Sequence, residues 1–188
     1  MAPSLHQQLF FDGEENIKNF EEAWAAQSDR KQLKSIPYLC RNPQFLLYGE
    51  ACSLGAQMER LLANVPRERI LPILLDDIRD DTNKVWLDIL SFLNVPDDGR
   101  REFPVENKAK ERRFTQQAYI QRIYYEILRK MKISPLGFGF FSYLDKFNAR
   151  EKLRSELSPK MELELKNYFE NDIKLLSRLL NRDLTNWL

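Results

Sequence analysis

The sequence predicts an α/β fold that is mostly helical and carries a small or incomplete parallel sheet. Several stretches repeat apolar residues every three or four positions, which is the spacing of one buried helix face. One short run, ILPILL at positions 70–75, is apolar throughout and lies between charged residues. Such a run is typical of a strand buried on both faces of a parallel sheet. The length of 188 residues suits one domain.

Composition argues against several functional classes. Hydrophobic residues make up 43% and charged residues 30% of the chain, which suits a globular core and not disorder. A formal net charge of +1 gives no general attraction to nucleic acid or to anionic membranes. No apolar run approaches the roughly 20 residues that cross a bilayer, and the N-terminus has no features of a secretory signal.

Cysteine and histidine usage points to a cytoplasmic protein without a metal site. Cys40 and Cys52 are the only cysteines, and their spacing matches no CxxC motif, so we expect reduced thiols. A structural zinc ion needs about four ligands, usually several Cys or His. One histidine and two cysteines argue against such a site.

In the N-terminal half, the pattern predicts a poorly ordered start at residues 1–13 and a helix over 14–27. The polar stretch 28–44 reads as a loop because it contains two prolines. A second helix is predicted between residues 46 and 63, and Pro66 follows its end.

In the C-terminal half, Asp81 or Thr82 is placed to cap a helix that closes near Pro96. Another helix is predicted from about 115 to 131, whereas the aromatic stretch 133–144 gives no clear assignment. The last helix is the best marked, since Ser158 suits the N-cap and Pro159 the first helical position.

The ILPILL strand creates a physical problem. It is the one convincing strand of the sequence, and Pro72 removes one of its backbone donors, which favours an edge position. A strand without neighbours leaves buried N–H and C=O groups unpaired, at about 1–3 kcal/mol each. The neighbours must come from weakly patterned segments such as 36–47, from another chain or from self-association. We therefore interpret residues 1–188 as a single, partial domain.

The order of the elements resembles the C-terminal half of bacterial-type sulfotransferases. That family has an aromatic–Gly segment, a helix ending in proline, Arg-Glu before a buried strand, an acidic pair after it, and an "FLgv" segment. In this chain the corresponding residues run from LLYGEACSLGAQMERLLANVPRERILPILLDDI at 46–78 to SFLNVP at 91–96. FEEAW at 20–24 and the ending LSPKMELELKNYFENDIKLLSRLLNRDLTNWL are also similar to family segments. The match is weak between about 114 and 157.

The resemblance implies a P-loop-type sulfotransferase fold that uses 3′-phosphoadenosine 5′-phosphosulfate (PAPS) as donor. In that family a glycine-containing loop before a helix cradles the phosphosulfate through backbone N–H groups. This chain contains no PKSGTT-like loop, and His6 matches no family base. No catalytic residue is therefore carried over.

The charged segment RREFPVENKAKERRF at 100–114 holds six basic residues against three glutamates. In the family this region closes over the adenosine 3′-phosphate, and arginine suits phosphate because its planar fork matches the oxygens. The residues that we predict to contact the donor are Asn107, Lys108, Lys110, Arg112 and Arg113. The alternative is a solvated loop whose charges pair with Asp97, Asp98 and the nearby glutamates.

Three other sets of residues have weaker functional interpretations. Tyr48 and Gly49 could line an acceptor pocket, although a helix start that permits close packing explains them better. Asp76 and Asp77 follow the predicted strand, where adjacent side chains would diverge, so a cap or an arginine pair is expected instead of catalysis. The GFGFF segment at 137–141 could touch a lipid or acyl acceptor, but packing is the simpler role.

Two functions follow from these observations. The first is part of a PAPS-dependent sulfotransferase that acts on a hydroxyl or amine of a small-molecule, carbohydrate or lipid acceptor and is inactive alone because the donor loop is absent. The second is a non-catalytic helical scaffold or partner-binding remnant. The sulfotransferase interpretation depends on residues 70–75 lying in a sheet. Finding these residues in a helix, or at a wet surface with no neighbouring strand, would overturn it.

Overall fold

The computed structural model describes residues 1–104, 110–112, 120, 123–124, 127–132, 149–151 and 157–187. Helices make up most of this part of the chain, as the sequence predicted. They are α1 (Ala2–Phe11), α2 (Phe20–Ala25), α3 (Gln27–Lys31), α4 (Tyr48–Ala51), α5 (Leu54–Asn64), α6 (Leu75–Asp80), α7 (Thr82–Phe92) and α8 (Pro159–Leu180). Short 3₁₀ turns occur at Pro43–Leu46, Arg67–Arg69 and Thr185–Trp187.

Among the described residues, strands are found only in β1 (Lys110–Arg112) and β2 (Ala149–Glu151). The two pair antiparallel, with Lys110 opposite Glu151 and Arg112 opposite Ala149. This pairing differs from the predicted parallel sheet. Residues 120, 123–124 and 127–130 are helical and fall within the helix predicted over 115–131. The unassigned stretch 133–144 lies outside the described residues.

The chain divides into two compact units. The first contains Met1–Ser53 and Asn107–Glu170, and the second contains Leu54–Glu106 and Asn171–Leu188. Helix α8 runs from the first unit into the second, because the division falls after Glu170. That the chain forms one domain stays a prediction.

The first unit has a connected apolar core. Leu46 and Tyr48 are completely shielded from solvent, and the core draws residues from α1, α2, α4 and the first half of α8. Its buried members are Ala2, Leu9, Phe20, Ala23, Trp24, Leu46, Tyr48, Cys52 and Met161. Aromatic edges contact aromatic faces here, as between Trp24 and Tyr168, whose ring centroids are 5.2 Å apart.

The second unit has a smaller buried cluster. Its buried members, Leu176, Leu180 and Leu184, lie on α8 and just after it. Around them pack Leu54, Met58, Leu74, Ile173 and Trp187. Many apolar side chains of this unit remain exposed to water. Among them are Leu61, Ile73, Leu75, Ile78, Leu87, Phe92, Leu93 and Val95.

The predicted strand at 70–75 is not a strand in the structure. Ile70 and Leu74 have extended backbone angles, but residues 70–74 pair with no strand of the described chain, and Leu75 begins α6. None of the six side chains is fully buried, and Leu75 is 59% exposed. The helix starts at Leu75 because Asp76 and Asp77 in its first turn favour a helix N-terminus.

The first residues form a helix, in contrast to the predicted poorly ordered start. Ala2, His6 and Leu9 of α1 are buried, which is the three- and four-residue spacing of one helix face. Pro3 lies within the first turn, where the missing N–H costs nothing. The helical spacing of these three buried positions is present in the sequence, but the positions are few and one of them is a histidine.

Two predicted helices are interrupted. The helix expected over 14–27 begins only at Phe20, where the Asn19 side chain accepts hydrogen bonds from the N–H groups of Glu21 and Glu22. The helix expected over 46–63 breaks between α4 and α5. The break is stabilised by Asp172, which accepts hydrogen bonds from the N–H groups of Gly55 and Ala56 at 2.8 and 2.9 Å.

The caps predicted for the later helices are confirmed. Asp81 accepts a hydrogen bond from the Lys84 N–H at 2.8 Å at the start of α7. The Ser158 hydroxyl accepts one from the Met161 N–H at 3.2 Å, and Pro159 is the first residue of α8. These caps are local in sequence, which is why they could be predicted.

Candidate functional site

Most of the residues that we predicted to contact the donor lie outside the described part of the chain. Three of the five lie outside it: Asn107, Lys108 and Arg113. The other two, Lys110 and Arg112, are the end residues of β1. The donor-contact role of this set therefore stays a prediction. At the start of the same charged segment, Arg100 and Arg101 pair with Asp98 and Asp97, as the solvated-loop alternative expected.

Tyr48 and Gly49, the predicted acceptor-lining pair, are both buried at the start of α4. A Cβ atom added at Gly49 would lie 2.3 Å from the Tyr168 hydroxyl, so the glycine permits close packing against α8. The Gly49 N–H donates to the side-chain oxygen of Gln27 at 2.7 Å. The geometry fits the packing alternative, and an acceptor-lining role remains a prediction.

Tyr48 belongs to a buried polar network that the sequence did not reveal. Its hydroxyl donates to the Glu15 carboxylate, which also forms a two-pronged ion pair with Arg30 at 2.8 Å per contact. Neither side chain of the ion pair is exposed to solvent. Arg30 further donates to the carbonyls of Ser35 and Leu46, and Glu15 accepts the N–H groups of Asn16 and Ile17.

The network holds its ionisable groups in fixed protonation states. Burial opposes ionisation of Glu15, but the hydrogen bonds from Arg30 and Tyr48 outweigh it and lower the pKa of the carboxyl. Burial also opposes the charge on Arg30, yet its bonds to Glu15 raise the pKa of the guanidinium. Burial, followed by the bond to Glu15, raises the pKa of the Tyr48 hydroxyl. The three groups are shielded from solvent, and their shared bonds favour a charged Glu15, a charged Arg30 and a neutral Tyr48.

His6, the only histidine, lies against this network. Its Nε2 atom is 2.8 Å from the carbonyl oxygen of Ile17, and its ring contacts Phe20 and Tyr48 edge to face. The side chain is 5% exposed, so it acts as a core residue in this structure. The sequence matched it to no family base, and its position gives no reason to assign one.

Asp76 and Asp77 have the structural roles that we expected. Asp77 accepts the N–H of Leu74 at 2.9 Å and forms a two-pronged pair with Arg182 at 2.7 and 2.5 Å. The hydrogen bond from Arg182 lowers the pKa of Asp77 to about 2. Asp76 accepts the indole N–H of Trp187 at 2.9 Å. The two carboxylates lie at the start of α6, so the reason we gave for their divergence, strand alternation, was wrong.

A groove with a volume of about 680 Å³ lies in the second unit, beside the last two turns of α8. Lys174 and Arg178, one helical turn apart, line it together with the apolar side chains of Ile173 and Leu184. Two cations on one face can hold an anion. The hydroxyl of Ser177, which also lines this groove, already donates to the Arg182 carbonyl. The groove thus has two cationic side chains in its lining and no activated nucleophile among its described residues.

The described helices include none that is both long and apolar enough to cross a membrane. No family model matches the sequence, and a search of the curated proteins found no relative.

One solved structure that the chain resembles is the crystal structure of a sulfotransferase from Alicyclobacillus acidocaldarius, with a TM-score of 0.60 and 21% sequence identity. The match covers 99% of this chain and 52% of that one, so the chain spans about half the length of the protein it matches. At this identity the likeness concerns the fold. The resemblance inferred from the sequence is confirmed at that level: this chain has a sulfotransferase-like fold.

Proposed function

We propose that this chain is part of a sulfotransferase that transfers a sulfuryl group from PAPS to a hydroxyl or amine of an acceptor. The observation that carries the proposal is the structural match over 99% of the chain to a sulfotransferase. The family segments in the sequence, from FEEAW at 20–24 to the final helix, support it independently. The acceptor class is a small molecule, a carbohydrate or a lipid.

The proposed reaction is an in-line displacement. A base removes the acceptor proton, the acceptor oxygen or nitrogen bonds to sulfur, and the bond from sulfur to the phosphate oxygen of the donor breaks. Cations stabilise the charge that develops on the phosphate leaving group. Within this chain, Asn107, Lys108, Lys110, Arg112 and Arg113 are the proposed contacts to the 3′-phosphate of the donor.

This chain alone does not supply the whole reaction. Its sequence contains no donor loop of the PKSGTT type and no assigned base. We therefore propose that residues 1–188 are inactive by themselves and that the phosphosulfate cradle is supplied from outside them. Tyr48 and Gly49 are the proposed residues next to the acceptor, and the protein is proposed to be cytoplasmic.

A thermal-shift titration tests donor binding. The full chain is titrated with 3′,5′-bisphosphoadenosine, the desulfated product, and AMP is the control because it lacks the 3′-phosphate. A ligand at 100 times its Kd stabilises a protein by about 2.7 kcal/mol, which corresponds to a Tm rise of about 5–10 °C at this chain length. Equal shifts with both nucleotides, or no shift with either, would remove the donor-binding part of the proposal.

Matched arginine variants locate the binding site. Arg112→Ala or Arg113→Ala should reduce the shift with the bisphosphate, whereas Arg101→Ala should not, because Arg101 is engaged with Asp97 in the same segment. Arg178→Ala tests the groove of the second unit. If only that variant loses binding, the anion site lies in the groove and the assignment to residues 107–113 is wrong.

A second candidate function is a non-catalytic scaffold that binds a partner. The unpaired extended segment 70–74 and the exposed apolar residues of α6 and α7 favour it. The nucleotide titration separates the two functions, since a scaffold without a donor site gives no difference between the bisphosphate and AMP.

A further inference from the structure

Trp86 of α7 is half-buried, and its side chain contacts the part of the chain that follows the helix. Its indole N–H donates to the Asp98 carboxylate at 3.1 Å. The guanidinium carbon of Arg100 lies 5.3 Å from the centre of the indole ring, which is a cation–π distance. The Phe103 ring lies 6.0 Å away at an angle of 59°. One side chain of α7 therefore contacts three residues of the segment 97–103, which we call the anchored loop.

The other hydrogen bonds and ion pairs that the described residues give to the anchored loop stay within it. The Asp98 carboxylate also accepts the N–H of Arg100 at 3.0 Å. Asp97 forms a two-pronged pair with Arg101 at 3.1 and 2.6 Å. These bonds fold the loop on itself but do not attach it to the helix. The attachment to α7 therefore depends on the indole.

We propose that Trp86 is a positioning residue for donor binding, because it orders the chain just before the proposed donor-contact segment 107–113. This inference rests on the proposed function. Three residues separate Phe103 from Asn107, the first of the proposed contacts. A chain that is held at Phe103 has fewer arrangements open to it over the next few residues. A binding segment that is partly ordered in advance loses less conformational entropy when the ligand binds, so its affinity is higher.

Limited trypsin proteolysis of the full chain, without nucleotide, tests whether Trp86 holds the loop. Trypsin must take up the Arg100 side chain to cut after it, and that side chain lies against the indole. Trp86→Ala should speed cleavage after Arg100 at least about tenfold, since several weak contacts are lost together. Leu90 is the buried residue of α7, so the unit should stay folded, and cleavage after Arg60, inside α5, should stay slow. Equal acceleration at both sites, or none after Arg100, contradicts the proposal.

Two phenylalanine variants separate the indole hydrogen bond from the general loss of a tryptophan. Trp86→Phe keeps an aromatic ring but loses the N–H that bonds to Asp98, so cleavage after Arg100 should speed up by only about threefold. Trp187→Phe is the matched control, because its indole N–H bonds to Asp76 of α6 in the same unit. It should leave this cleavage rate unchanged. An acceleration by the control as large as that of Trp86→Phe would rule out a specific anchor.

Isothermal titration calorimetry with 3′,5′-bisphosphoadenosine tests the link to the donor. The Kd of Trp86→Ala should be about three- to tenfold above that of the wild type, and Trp86→Phe should recover part of the loss. If the wild type binds the bisphosphate and Trp86→Ala binds it equally well, the positioning role is overturned and the proposed function stands. If the wild type itself does not distinguish the bisphosphate from AMP, the proposed function fails and the positioning role fails with it.

Discussion

The two units are stabilised in different ways. The first unit surrounds an ion pair, Glu15 with Arg30, whose side chains are both fully shielded from solvent. In the second unit the ion pair of Arg182 with Asp77 lies at the surface, and its side chains are 41% and 24% exposed. A buried charge must keep its partner, because losing it leaves the other charge without compensation. A surface pair competes with water and contributes little. Substitutions in the first unit should therefore have the larger effects.

The largest effect is expected for Glu15→Ala. The substitution leaves Arg30 and the Tyr48 hydroxyl without their shared acceptor in a buried site. The free energy of unfolding should fall by about 3–5 kcal/mol, measured by urea denaturation. Glu50→Ala is the control, because it removes the exposed partner of Lys31, and it should cause no measurable change. A loss for Glu15→Ala as small as that of the control would mean that the buried pair is not what stabilises the first unit.

The next largest effect is expected when the stability losses of two leucine-to-alanine substitutions are compared. Leu46 is fully buried in the first unit and Leu75 is 59% exposed in the second. Leu46→Ala should cost about 2–5 kcal/mol through the cavity that it leaves, whereas Leu75→Ala should stay within about 0.5 kcal/mol. Chemical denaturation of both variants measures the difference. Similar losses for the two variants would contradict the difference in burial between the two positions.

A smaller difference in stability is expected between alanine substitutions at two glycines. A Cβ atom at Gly55, in the second unit, would lie 2.3 Å from the Asp172 carbonyl oxygen, a backbone atom held within α8. The three atoms nearest to a Cβ atom at Gly49, in the first unit, belong to the end of the Tyr168 side chain, which is 49% exposed. Gly55→Ala should therefore cost about 1–3 kcal/mol by overpacking, and Gly49→Ala less. The opposite order in thermal unfolding would refute this account.

The smallest effect concerns acid stability of the second unit. The pKa of Asp77 is lowered to about 2 in the folded chain, and an unfolded aspartate titrates near 3.9. A lowered folded-state pKa stabilises the protein above pH 4, and this contribution is lost as the pH falls towards 2. Asp77→Asn should remove a pH-dependent increment of up to about 1 kcal/mol over that range. Asp80→Asn, an exposed carboxylate of the same helix, is the control and should retain the wild-type slope.

Elements that depend on neighbours in sequence were predicted well. The capping residues Asp81 and Ser158 were both identified, because a cap and the N–H that it accepts lie within three residues. The mostly helical fold followed from the same local periodicity. The expected pairing of the acidic residues after the apolar run was also correct for Asp77, although its partner Arg182 lies 105 residues away.

Features that depend on distant partners were missed. The break between α4 and α5 is fixed by Asp172, which is more than 100 residues away in sequence. The Glu15 and Arg30 pair joins two segments that the sequence assigned to a helix start and a loop. The prediction of a strand at ILPILL was wrong for a related reason. Apolar composition indicates that a segment can be buried in a sheet, but it does not show that a neighbouring strand exists to pair with it. The fold comparison survives this failure because the match runs along almost the whole chain.

Helix α8 has a consequence for how the chain is made. Met161, Leu165 and Phe169 complete the apolar core of the first unit, and Leu176 and Leu180 complete that of the second. Synthesis proceeds from the N-terminus, so both cores remain open until this helix has left the ribosome. Until then the described residues of both cores that pack against α8 stay exposed, so the nascent chain should be prone to aggregation.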